Sequence, residues 1–597
     1  MAIVAALPGA VLSSTANRVL AARYLRRNAT GEVAESADEL LARVARAVAQ
    51  AELTLGTARA ADDWQQRFHR LLASLDFLPN SPTLMNAGTR LGQLAACFVL
   101  PIDDSMEGIF GALREMALVQ RTGGGTGFAF SRLRPRGELV ASTGGTASGP
   151  VSFMRIFDAA TENIKQGGRR RGANMGVLRV DHPDVLEFVD AKRGGSDLRN
   201  FNLSVGATDA FMEAAERGGT YALVHPVNGR VTAQVAAREV LERMVAAAWE
   251  GGDPGLVFLD RVNRDNPTPA LGAIESTNPC GEVPLLPYES CVLGAVNLAH
   301  MVGAAGTLDW DRLGETVRLA VRFLDDVVEV TREPLPEVAA ISRGNRKIGL
   351  GVMGFAECLI RLGVSYDSDA AVTWADRIAA FVAGEARTAS RRLAEERGVF
   401  PNWSRSAYAS TGEQVRNATR LSIAPTGTIS MIAGTSGGIE PLFALAYRRA
   451  HALGGAPIVE INPLIARHLR TDLGGDADSV LAAVLATGTL PAHPRLEPQL
   501  RRRFVTATEI PPRRHLQIQQ AFQRHVDNAV SKTINLVADA TPQDVADVYL
   551  DAWRLGLKGV TIYRYGSRDE QVLTLGADED ALGRELFARC DPGACRL

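Results

Sequence analysis

The chain has 597 residues, with 65 Lys and Arg against 67 Asp and Glu, and a formal net charge of −2. This balance gives no basic field for nucleic acid, no apolar run reaches the roughly 18 residues of a membrane span, and six cysteines are too few for a disulfide-stabilised scaffold. Hydrophobic residues make up 46% of the chain, which allows a large core.

The spacing of apolar residues predicts three regions along the chain. Residues 1–78 are expected to be helical, because Ala-rich amphipathic stretches such as 40–53 have helical periodicity. Residues 79–567 are expected to form an α/β region. Residues 568–597 are acidic, contain Gly and show no strong period, so they are predicted to form a flexible tail.

Short apolar runs alternate with helical patterns through the middle of the chain. A predicted strand at 177–180 precedes a helix at 185–191, and a predicted strand at 201–205 precedes a helix at 209–217. This alternation is typical of an α/β fold with its strands in the core. Near the C-terminus, Thr541 as N-cap and Pro542 at the first helical position predict a helix that runs to about Leu557.

Four loops carry candidate phosphate-binding groups. Residues 425–430 follow a strand-like run and present hydroxyls beside backbone amides, and residues 80–83 offer similar donors. Residues 164–172 form a basic, Gly-rich loop that either grips a polyphosphate or is a solvated turn. Residues 122–127 are a weaker signal, because they lack the Lys of a Walker A loop and glycine-dense segments are also common turns.

The most informative motif is Asn278-Pro279-Cys280-Gly281-Glu282. Pro and Gly on either side of the cysteine predict a tight turn, which can place one thiol in a cavity between an amide and a carboxylate. The alternative is a turn with a buried structural cysteine.

The other cysteines have different contexts. Cys358 lies in an apolar helical stretch and is predicted to be part of the core. Cys590 and Cys595 flank a turn near the C-terminus, where a dithiol suits thiol–disulfide exchange; the alternative is an incidental pair. We favour exchange, because Cys97 and Cys291 are a candidate partner disulfide.

The cysteine spacing indicates whether the chain binds a structural metal, and the N-terminus indicates whether it carries a signal peptide. Because no CxxC pair or Cys/His cluster has zinc-site spacing, no metal is predicted. Pro8 and Gly9 interrupt the apolar N-terminus and no basic segment precedes it, so no signal peptide is predicted. Reduced thiols favour a cytoplasmic protein.

Four motifs in order resemble those of a ribonucleotide reductase catalytic subunit, and the closest resemblance is to the dimeric, class II type that depends on adenosylcobalamin. These motifs are 278–282, 289–298 (Glu-Ser-Cys-Val-Leu-Gly-Ala-Val-Asn-Leu), 424–430 (Ala-Pro-Thr-Gly-Thr-Ile-Ser) and 559–568 (Gly-Val-Thr-Ile-Tyr-Arg-Tyr-Gly-Ser-Arg). The resemblance runs from about Leu12 to Cys595. It implies that residues 79–567 form a ten-stranded α/β barrel of two five-stranded halves around a finger loop that carries Cys280.

The resemblance also implies a mechanism. Cys280 would become a thiyl radical after homolysis of the cobalt–carbon bond of adenosylcobalamin, and this radical would take the 3′ hydrogen of a ribonucleotide. Glu282 would act as base on the 3′-OH, and Asn278 would help orient the substrate. The 2′-OH would leave as water while Cys97 and Cys291 supply two electrons and become a disulfide.

Binding residues follow from the same resemblance, position by position. The substrate would be held by Ser81, Ala96, Cys97, Gly123, Asn278, Cys280, Glu282, Pro425, Thr426, Gly427, Thr428 and Ile429. Deoxynucleotide effectors would bind at a homodimer interface through Asp104, Arg134, Lys165, Gln166 and Arg170. Related proteins often have Ser at the position of Ala96, a difference that we interpret as harmless. A solvated turn remains the alternative for Asp104.

The resemblance further implies that Cys590 and Cys595 reduce the active-site disulfide and are then reduced by a thioredoxin-like protein. Ribonucleoside diphosphates are the favoured substrates. Class I subunits have a pair of adjacent tyrosines where this chain has Ile562-Tyr563, which favours cobalamin over a radical-generating partner subunit.

Three alternatives remain. They are a class I large subunit that needs such a partner, a catalytically inactive nucleotide-sensing paralogue, and a simple thiol oxidoreductase. The retained cysteines argue against the paralogue, and the phosphate loops argue against the simple oxidoreductase.

Overall fold

The computed structural model describes residues 10–56, 58–140, 144–166, 170–195, 197–453, 456–567 and 573–575. Its α-helices are α1 Ser14–Arg23, α2 Ala37–Ala49, α3 Ala51–Leu55, α4 Ala58–Ala73, α5 Ser81–Asn86, α6 Met106–Arg121, α7 Pro150–Asn163, α8 Val185–Asp190, α9 Asp209–Arg217, α10 Ala237–Gly251, α11 Leu259–Arg264, α12 Trp310–Val330, α13 Pro336–Asn345, α14 Phe355–Arg361, α15 Asp369–Arg397, α16 Ala407–Thr411, α17 Ile429–Ala433, α18 Pro463–Leu473, α19 Ala477–Thr487, α20 Pro498–Arg503, α21 Pro512–Gln523 and α22 Pro542–Arg554.

The strands are β1 Phe77–Pro79, β2 Cys97–Val99, β3 Gly125–Ala129, β4 Leu139–Val140, β5 Gly145–Thr146, β6 Lys165–Gln166, β7 Arg170–Arg171, β8 Asn174–Arg179, β9 Phe201–Ala207, β10 Thr220–Val224, β11 Val231–Ala236, β12 Gly255–Phe258, β13 Ser276–Thr277, β14 Pro284–Leu285, β15 Glu289–Asn297, β16 Ile348–Met353, β17 Ala446–Leu453, β18 Ala456–Ile461, β19 Thr533–Leu536, β20 Gly559–Arg564 and β21 Leu573–Leu575.

The first half of the central sheet consists of five parallel strands, in the order β2, β3, β8, β9 and β12. Each strand is followed along the chain by at least one helix, so helices cover the outer face, as parallel strands require. The inner residues of these helices form one large hydrophobic core with the strands.

The second half is also parallel and closes the ring. It contains β15, β16, β19 and β20, with the segment 421–423 bridging β16 on one side and Val530 on the other. The two halves meet through the antiparallel pairs β2–β15 and β12–β20. The prediction of a ten-stranded α/β barrel in two five-stranded halves is therefore confirmed.

Helices α1 to α4 precede the barrel, as the periodicity predicted. A reciprocal capping box at Ser36 and Glu39 starts α2, whose apolar face packs against α4 and α12. The next element, β1, already joins the sheet by pairing with β15. The boundary predicted at residue 78 thus falls inside a strand.

The predicted elements in the middle of the chain occur with small shifts. The strands at 177–180 and 201–205 are parts of β8 and β9, and the helices at 185–191 and 209–217 are α8 and α9. Thr541 caps α22 as expected, but this helix ends at Arg554, before the predicted Leu557.

A smaller hydrophobic core lies outside the barrel. It is formed by α18, α19 and α20, which pack below the β17–β18 hairpin. Residues of β21 pair with β17, so the first part of the predicted C-terminal tail is tied to this sheet. Among the helices of the described residues, none is both long enough and apolar enough to cross a membrane.

Candidate active site

The Cys280 motif forms the tip of a short hairpin inside the barrel. Strands β13 and β14 pair antiparallel, and residues 278–283 connect them. The turn closes through a hydrogen bond from the Gly281 amide to the Asn278 carbonyl at 3.0 Å. Gly281 has φ +81°, a left-handed conformation that glycine adopts without strain. The predicted tight turn and the finger loop are both present.

Both halves of the barrel hold this finger in place. From the first half, Asn202 Nδ2 donates to the Pro279 carbonyl at 2.6 Å. From the second half, Ser422 Oγ and the Ala529 amide donate to the Glu282 carbonyl at 2.8 and 2.9 Å. The position of Cys280 therefore depends on the closed ring of strands and not on the hairpin alone.

Glycines of β3 provide the space for the finger. A Cβ on Gly127 would lie 1.7 Å from the Thr277 carbonyl oxygen, and one on Gly125 would lie 3.0 Å from the Pro279 ring. The glycine-rich stretch 122–127 is thus explained by close backbone approach. Of this stretch, Gly124 and Gly125 line the cavity described below, whereas Gly123, which the resemblance assigned to the substrate, is not among its lining residues.

Cys97 and Cys291 lie directly opposite each other on β2 and β15. Opposed residues of antiparallel strands have Cα atoms about 4.5–5.5 Å apart, a separation that a disulfide can span. In the structure both are thiols. Asn278 Nδ2 donates to Cys97 Sγ at 3.2 Å, which links the finger to this pair.

The two thiols are almost completely buried in a small apolar cluster with Val283 and Leu285. Burial raises the pKa of the Cys291 thiol well above its usual range; the Lys347 ammonium acts in the opposite direction, and the nearby carboxylates add to the rise. Cys291 is therefore held as a protonated thiol, with a hydrogen available to transfer.

A first cavity of about 250 Å³ lies on one side of the finger. Most of the predicted substrate residues line it: Ser81, Ala96, Cys97, Asn278, Cys280, Glu282, Pro425, Thr426, Gly427, Thr428 and Ile429. Sequence reasoning did not find Tyr24, whose hydroxyl is 2.8 Å from Ser81 Oγ. Tyr24 comes from α1, and no motif surrounds it.

Two of the predicted phosphate loops form neighbouring parts of this cavity. Asn80 caps α5 through a hydrogen bond from the Thr83 amide to Oδ1 at 2.9 Å, and Ser81 starts the helix. In the other loop, Thr426 has φ +47°, which is unusual for a β-branched residue. Its Oγ1 accepts from the Gly438 amide at 2.8 Å, which holds the loop in this conformation.

A second cavity, of about 450 Å³, lies on the other side of the finger. It is lined by strand residues from both halves of the barrel, including Asn202, Leu256, Asn535 and Tyr563. Pro279, Cys280 and Pro425 line both cavities, and Cys280 is exposed. The thiol thus lies in a wall shared by two cavities.

The predicted effector residues lie apart from both cavities. Arg134 Nε donates to Asp104 Oδ2 at 2.8 Å, and the Arg134 amide donates to Asp104 Oδ1 at 3.1 Å. Lys165, Gln166 and Arg170 belong to the β6–β7 hairpin, where Gln166 pairs with Arg170.

The predicted tail dithiol, Cys590 and Cys595, lies outside the described residues.

Comparisons with known proteins agree with this geometry. The family model for the ribonucleotide reductase all-alpha domain matches residues 11–92, and the model for the barrel domain matches residues 95–415 and 411–563. Among solved structures, the class Id ribonucleotide reductase alpha subunit of Actinobacillus ureae matches with a TM-score of 0.74 over 93% of this chain and 97% of that one. At 24% identity, that likeness shows the fold alone.

The names of similar curated proteins specify a cofactor and a substrate class in addition to the family. The vitamin B12-dependent ribonucleoside-diphosphate reductase of Mycobacterium tuberculosis is 54% identical over 98% of this chain and 84% of its own length. The protein of the same name from Thermoplasma acidophilum is 50% identical over 88% of this chain and 68% of its own. With both domain models matched and this level of identity, the chain belongs to the ribonucleotide reductase family.

Proposed function

We propose that this protein reduces ribonucleoside diphosphates to 2′-deoxyribonucleotides by thiyl-radical chemistry at Cys280, with adenosylcobalamin as cofactor. The observation that carries the proposal is the place of Cys280 in the wall between two cavities, with the Cys97–Cys291 pair beside the first of them. The names of the similar proteins from M. tuberculosis and T. acidophilum support both the substrate and the cofactor.

Each side chain at the first cavity has a role that fits its surroundings. The Cys280 sulfur, as a thiyl radical, takes the 3′ hydrogen of the bound ribose. Glu282 is 2% exposed and accepts the 3′-OH proton, since a buried carboxylate has little competing water. As the 2′-OH leaves with a proton as water, Cys97 and Cys291 give up two electrons and two protons, which provide the hydrogen that replaces the hydroxyl at C2′, and they form a disulfide. Cys280 then returns the 3′ hydrogen to the ribose and is a thiyl radical again. Asn278 orients the ribose and Cys97 through its amide.

The loops beside this cavity suit the phosphates of the substrate. Residues 425–429 and Ser81 present hydroxyls and backbone amides from two segments of the wall. Neither segment contributes a Lys or Arg, so these two segments would hold the diphosphate by hydrogen bonds, and Arg23 of α1, which also lines the cavity, is the nearby cation that would add an ion pair.

The second cavity is the candidate cofactor site. Its volume is in the range of sites for small organic ligands, and its wall combines apolar strand residues with the polar groups of Asn202, Asn535 and Thr561. This lining fits the adenosyl part of adenosylcobalamin. When bound, adenosylcobalamin would supply the radical that oxidises Cys280 by one electron. The chain's own part is to hold the thiol at the border of this cavity.

The lining of the second cavity also argues against the alternative that the chain is a class I large subunit. Tyr563 lines it, and its chain neighbours in β20 are Ile562 and Arg564. An adjacent tyrosine pair, the expected radical entry from a partner subunit, is therefore missing from this position.

Allosteric control and dimer formation are further parts of the proposal. Asp104 and Arg134 lie at the start of α6 and just after β3, so an effector nucleotide bound there would contact the ends of both elements. Helix α6 exposes Met106 and Phe110, and α7 exposes Ile156. These apolar side chains are suited to pack against the same helices of a second copy, with Lys165, Gln166 and Arg170 nearby in sequence to α7.

The regeneration of the thiols completes the proposal. Cys590 and Cys595 would reduce the Cys97–Cys291 disulfide and become a disulfide themselves, which a thioredoxin-like dithiol protein would then reduce. This need for reduced thiols supports a cytoplasmic location.

The test is anaerobic turnover of the purified chain with CDP or ADP, dithiothreitol and deoxynucleotide effectors, with and without adenosylcobalamin. Deoxynucleotide is expected only with the cofactor. Cys280→Ala should lower the rate at least 1000-fold, whereas Cys358→Ala, a matched change in the core of α14, should retain most of it. Product from Cys280→Ala would overturn the proposal, and activity that needs a radical-generating partner subunit would assign the protein to class I.

A further inference from the structure

The two thiols of the redox pair differ in their access to the first cavity. Cys97 is one of its lining residues, whereas Cys291 lines neither of the two cavities. Cys291 is 1% exposed and faces Cys97 from the third residue of β15. A dithiol that enters through the first cavity therefore meets Cys97 Sγ first.

A buried ion pair lies beside Cys291 and has no part in the steps at the ribose. Lys347 Nζ is 2.7 Å from Glu289 Oε2, and both side chains are at most 1% exposed. Glu289 precedes Cys291 by two residues in β15, so the two side chains point to the same face of the strand. The Lys347 carbonyl is 3.7 Å from Cys291 Sγ.

The carboxylate of this pair is fully satisfied. Asn345 Nδ2 donates to Glu289 Oε1 at 2.7 Å, and the Leu286 amide donates to Oε2 at 2.9 Å. The desolvation cost of a buried ion pair commonly equals its Coulombic gain, so stability alone does not account for a lysine at this position. Its closeness to a redox thiol suggests a chemical role.

We propose that the Cys97–Cys291 disulfide is reopened in one direction only, with attack on Cys97 and departure of Cys291, and that Lys347 is the positioning residue that supports the negative charge on the departing sulfur. The inference rests on the proposed function, which supplies the disulfide. In the first step, an incoming thiolate forms a bond to Cys97 Sγ. The bond between the two cysteines breaks, and its electron pair goes to Cys291.

The remaining steps balance protons and electrons. The Cys291 thiolate takes up a proton. The second thiolate of the incoming dithiol then attacks the sulfur of the same dithiol that is bonded to Cys97, and Cys97 leaves as a thiolate and takes up a proton. The dithiol becomes a disulfide, having lost two protons and two electrons, and the two active-site cysteines have gained them.

Electrostatics gives the physical reason for the lysine. A thiol with a high pKa is a poor leaving group in disulfide exchange. Burial gives Cys291 such a pKa, and the Lys347 ammonium is the nearby charge that lowers it. Without this cation, the departing sulfur would carry its charge in an apolar cluster with the carboxylates of Glu289 and Glu282 nearby.

The test uses the full chain with Lys347→Met and Glu289→Gln combined, so that neither buried charge is left unpaired. Wild type and variant are oxidised by one turnover without reductant, and the reduction of the disulfide by dithiothreitol is followed by alkylation and mass spectrometry. The variant should be reduced at least tenfold more slowly. A matched variant, Arg43→Met with Glu35→Gln, removes another buried ion pair, between α2 and the residue before its cap, and should be reduced at the wild-type rate.

A second measurement tests how accessible each sulfur is to attack, separately from how well Cys291 departs. In a Cys291→Ser background, Cys97 should react with an aromatic disulfide at least tenfold faster than Cys291 does in a Cys97→Ser background, as assigned by peptide mass. Adding Lys347→Met and Glu289→Gln to the Cys291→Ser protein should not change the Cys97 rate, because Cys291 does not depart in that reaction.

The outcomes are distinct. Equal reduction rates for wild type and variant, or faster labelling of Cys291 than of Cys97, would overturn the inference and leave the proposed function intact. If wild type makes no Cys97–Cys291 disulfide in one turnover, the proposed function fails and the inference fails with it.

Discussion

Four described cysteines have the same side chain and different surroundings. Cys280 is exposed at the tip of the finger, Cys97 and Cys291 are buried as a facing pair, and Cys358 is buried in α14. Burial raises the pKa of Cys358 to about 12, which keeps that thiol protonated and inert. Position in the fold, and not the residue type, separates these roles.

Glu333 is a second residue whose environment sets its charge. One of its carboxylate oxygens accepts from Ser290 Oγ at 2.8 Å, and the other has no hydrogen-bond partner among the described residues. Burial raises the pKa of Glu333 from 4.5 to about 7; the Ser290 hydrogen bond and Arg343 act in the opposite direction.

This shift predicts a pH-dependent stability. Between pH 4.5 and 7 the folded protein keeps a proton that the unfolded chain releases, so the free energy of unfolding falls as pH rises. Glu333→Gln removes the effect. Between pH 4.5 and 8 the wild type should lose roughly 2–3 kcal/mol more stability than the variant, the order of magnitude that a pKa shift from 4.5 to about 7 implies. Urea unfolding at both pH values measures the difference, and parallel pH profiles would contradict the assignment.

Residues inside short motifs were predictable, and residues brought together by topology were not. Pro279 and Gly281 indicated the turn that holds Cys280. The pairing of Cys97 with Cys291 followed only from the resemblance, because nothing local shows which strands become neighbours. Lys347 and Tyr24 carry no sequence signal at all, since their importance comes from residues distant along the chain.

At the scale of elements, the finger and β3 form one unit. The finger fits the barrel because β3 lacks side chains where the two backbones meet. Gly127→Ala would place a methyl group on the Thr277 carbonyl, and this backbone atom has no easy way to move.

We therefore expect Gly127→Ala to displace the finger and to lower turnover at least 100-fold. The control is Gly384→Ala on the exposed side of α15, where a Cβ meets nothing within 4 Å and should add about 0.5–1 kcal/mol of stability. Turnover assays and thermal unfolding of both variants test this. Full activity of Gly127→Ala would show that the finger does not need this close approach.

The elements themselves were largely predictable. Helices α8 and α9 and the strands before them followed from apolar periodicity, and α22 from its capping residues. The segment 421–423 was visible as the strand-like run before residues 425–430, whereas the short α17 was less visible, because a few residues of helical sequence are defined by their neighbours. The second cavity could not be predicted, since ordinary strand residues from many elements line it.

At the scale of the molecule, buried charges tie the N-terminal helices to the barrel. Arg397, at the end of α15, contacts Glu52 of α3 at 2.6 Å, Asp326 of α12 at 2.7 Å and Asp325 at 2.9 Å. Arg322 of α12 also contacts Glu52, at 2.7 Å. The cluster joins three helices from distant parts of the chain.

Arg397→Met should destabilise the protein by about 3–5 kcal/mol, because it leaves buried carboxylates without their cation. Arg387→Met on the same helix removes an exposed pair with Glu413 and should cost less than about 1 kcal/mol. Urea unfolding compares the two. Equal losses would mean that the buried cluster contributes no more than a surface ion pair.

The exposed apolar face of α6 leads to a prediction about assembly. If Phe110, which is 44% exposed, packs against a second copy, Phe110→Glu should place a charge in that contact and shift the dimer toward monomer by at least tenfold in dissociation constant. Val227→Glu, at a 61% exposed position in the β10–β11 turn, is the control and should not change assembly. Sedimentation velocity measures both, and a monomeric wild type would contradict the proposed interface.

The shared wall at Cys280 also has a pharmacological consequence. Because Pro279, Cys280 and Pro425 separate the two cavities, and the nucleotide is proposed to bind in the first, a compound that fills the second would not be displaced by raising the nucleotide concentration, whereas a compound in the first would be. Two inhibitors aimed at opposite sides of the thiol could therefore occupy one molecule together. A tethered compound that reached past Cys280 into both spaces would gain the affinity of each.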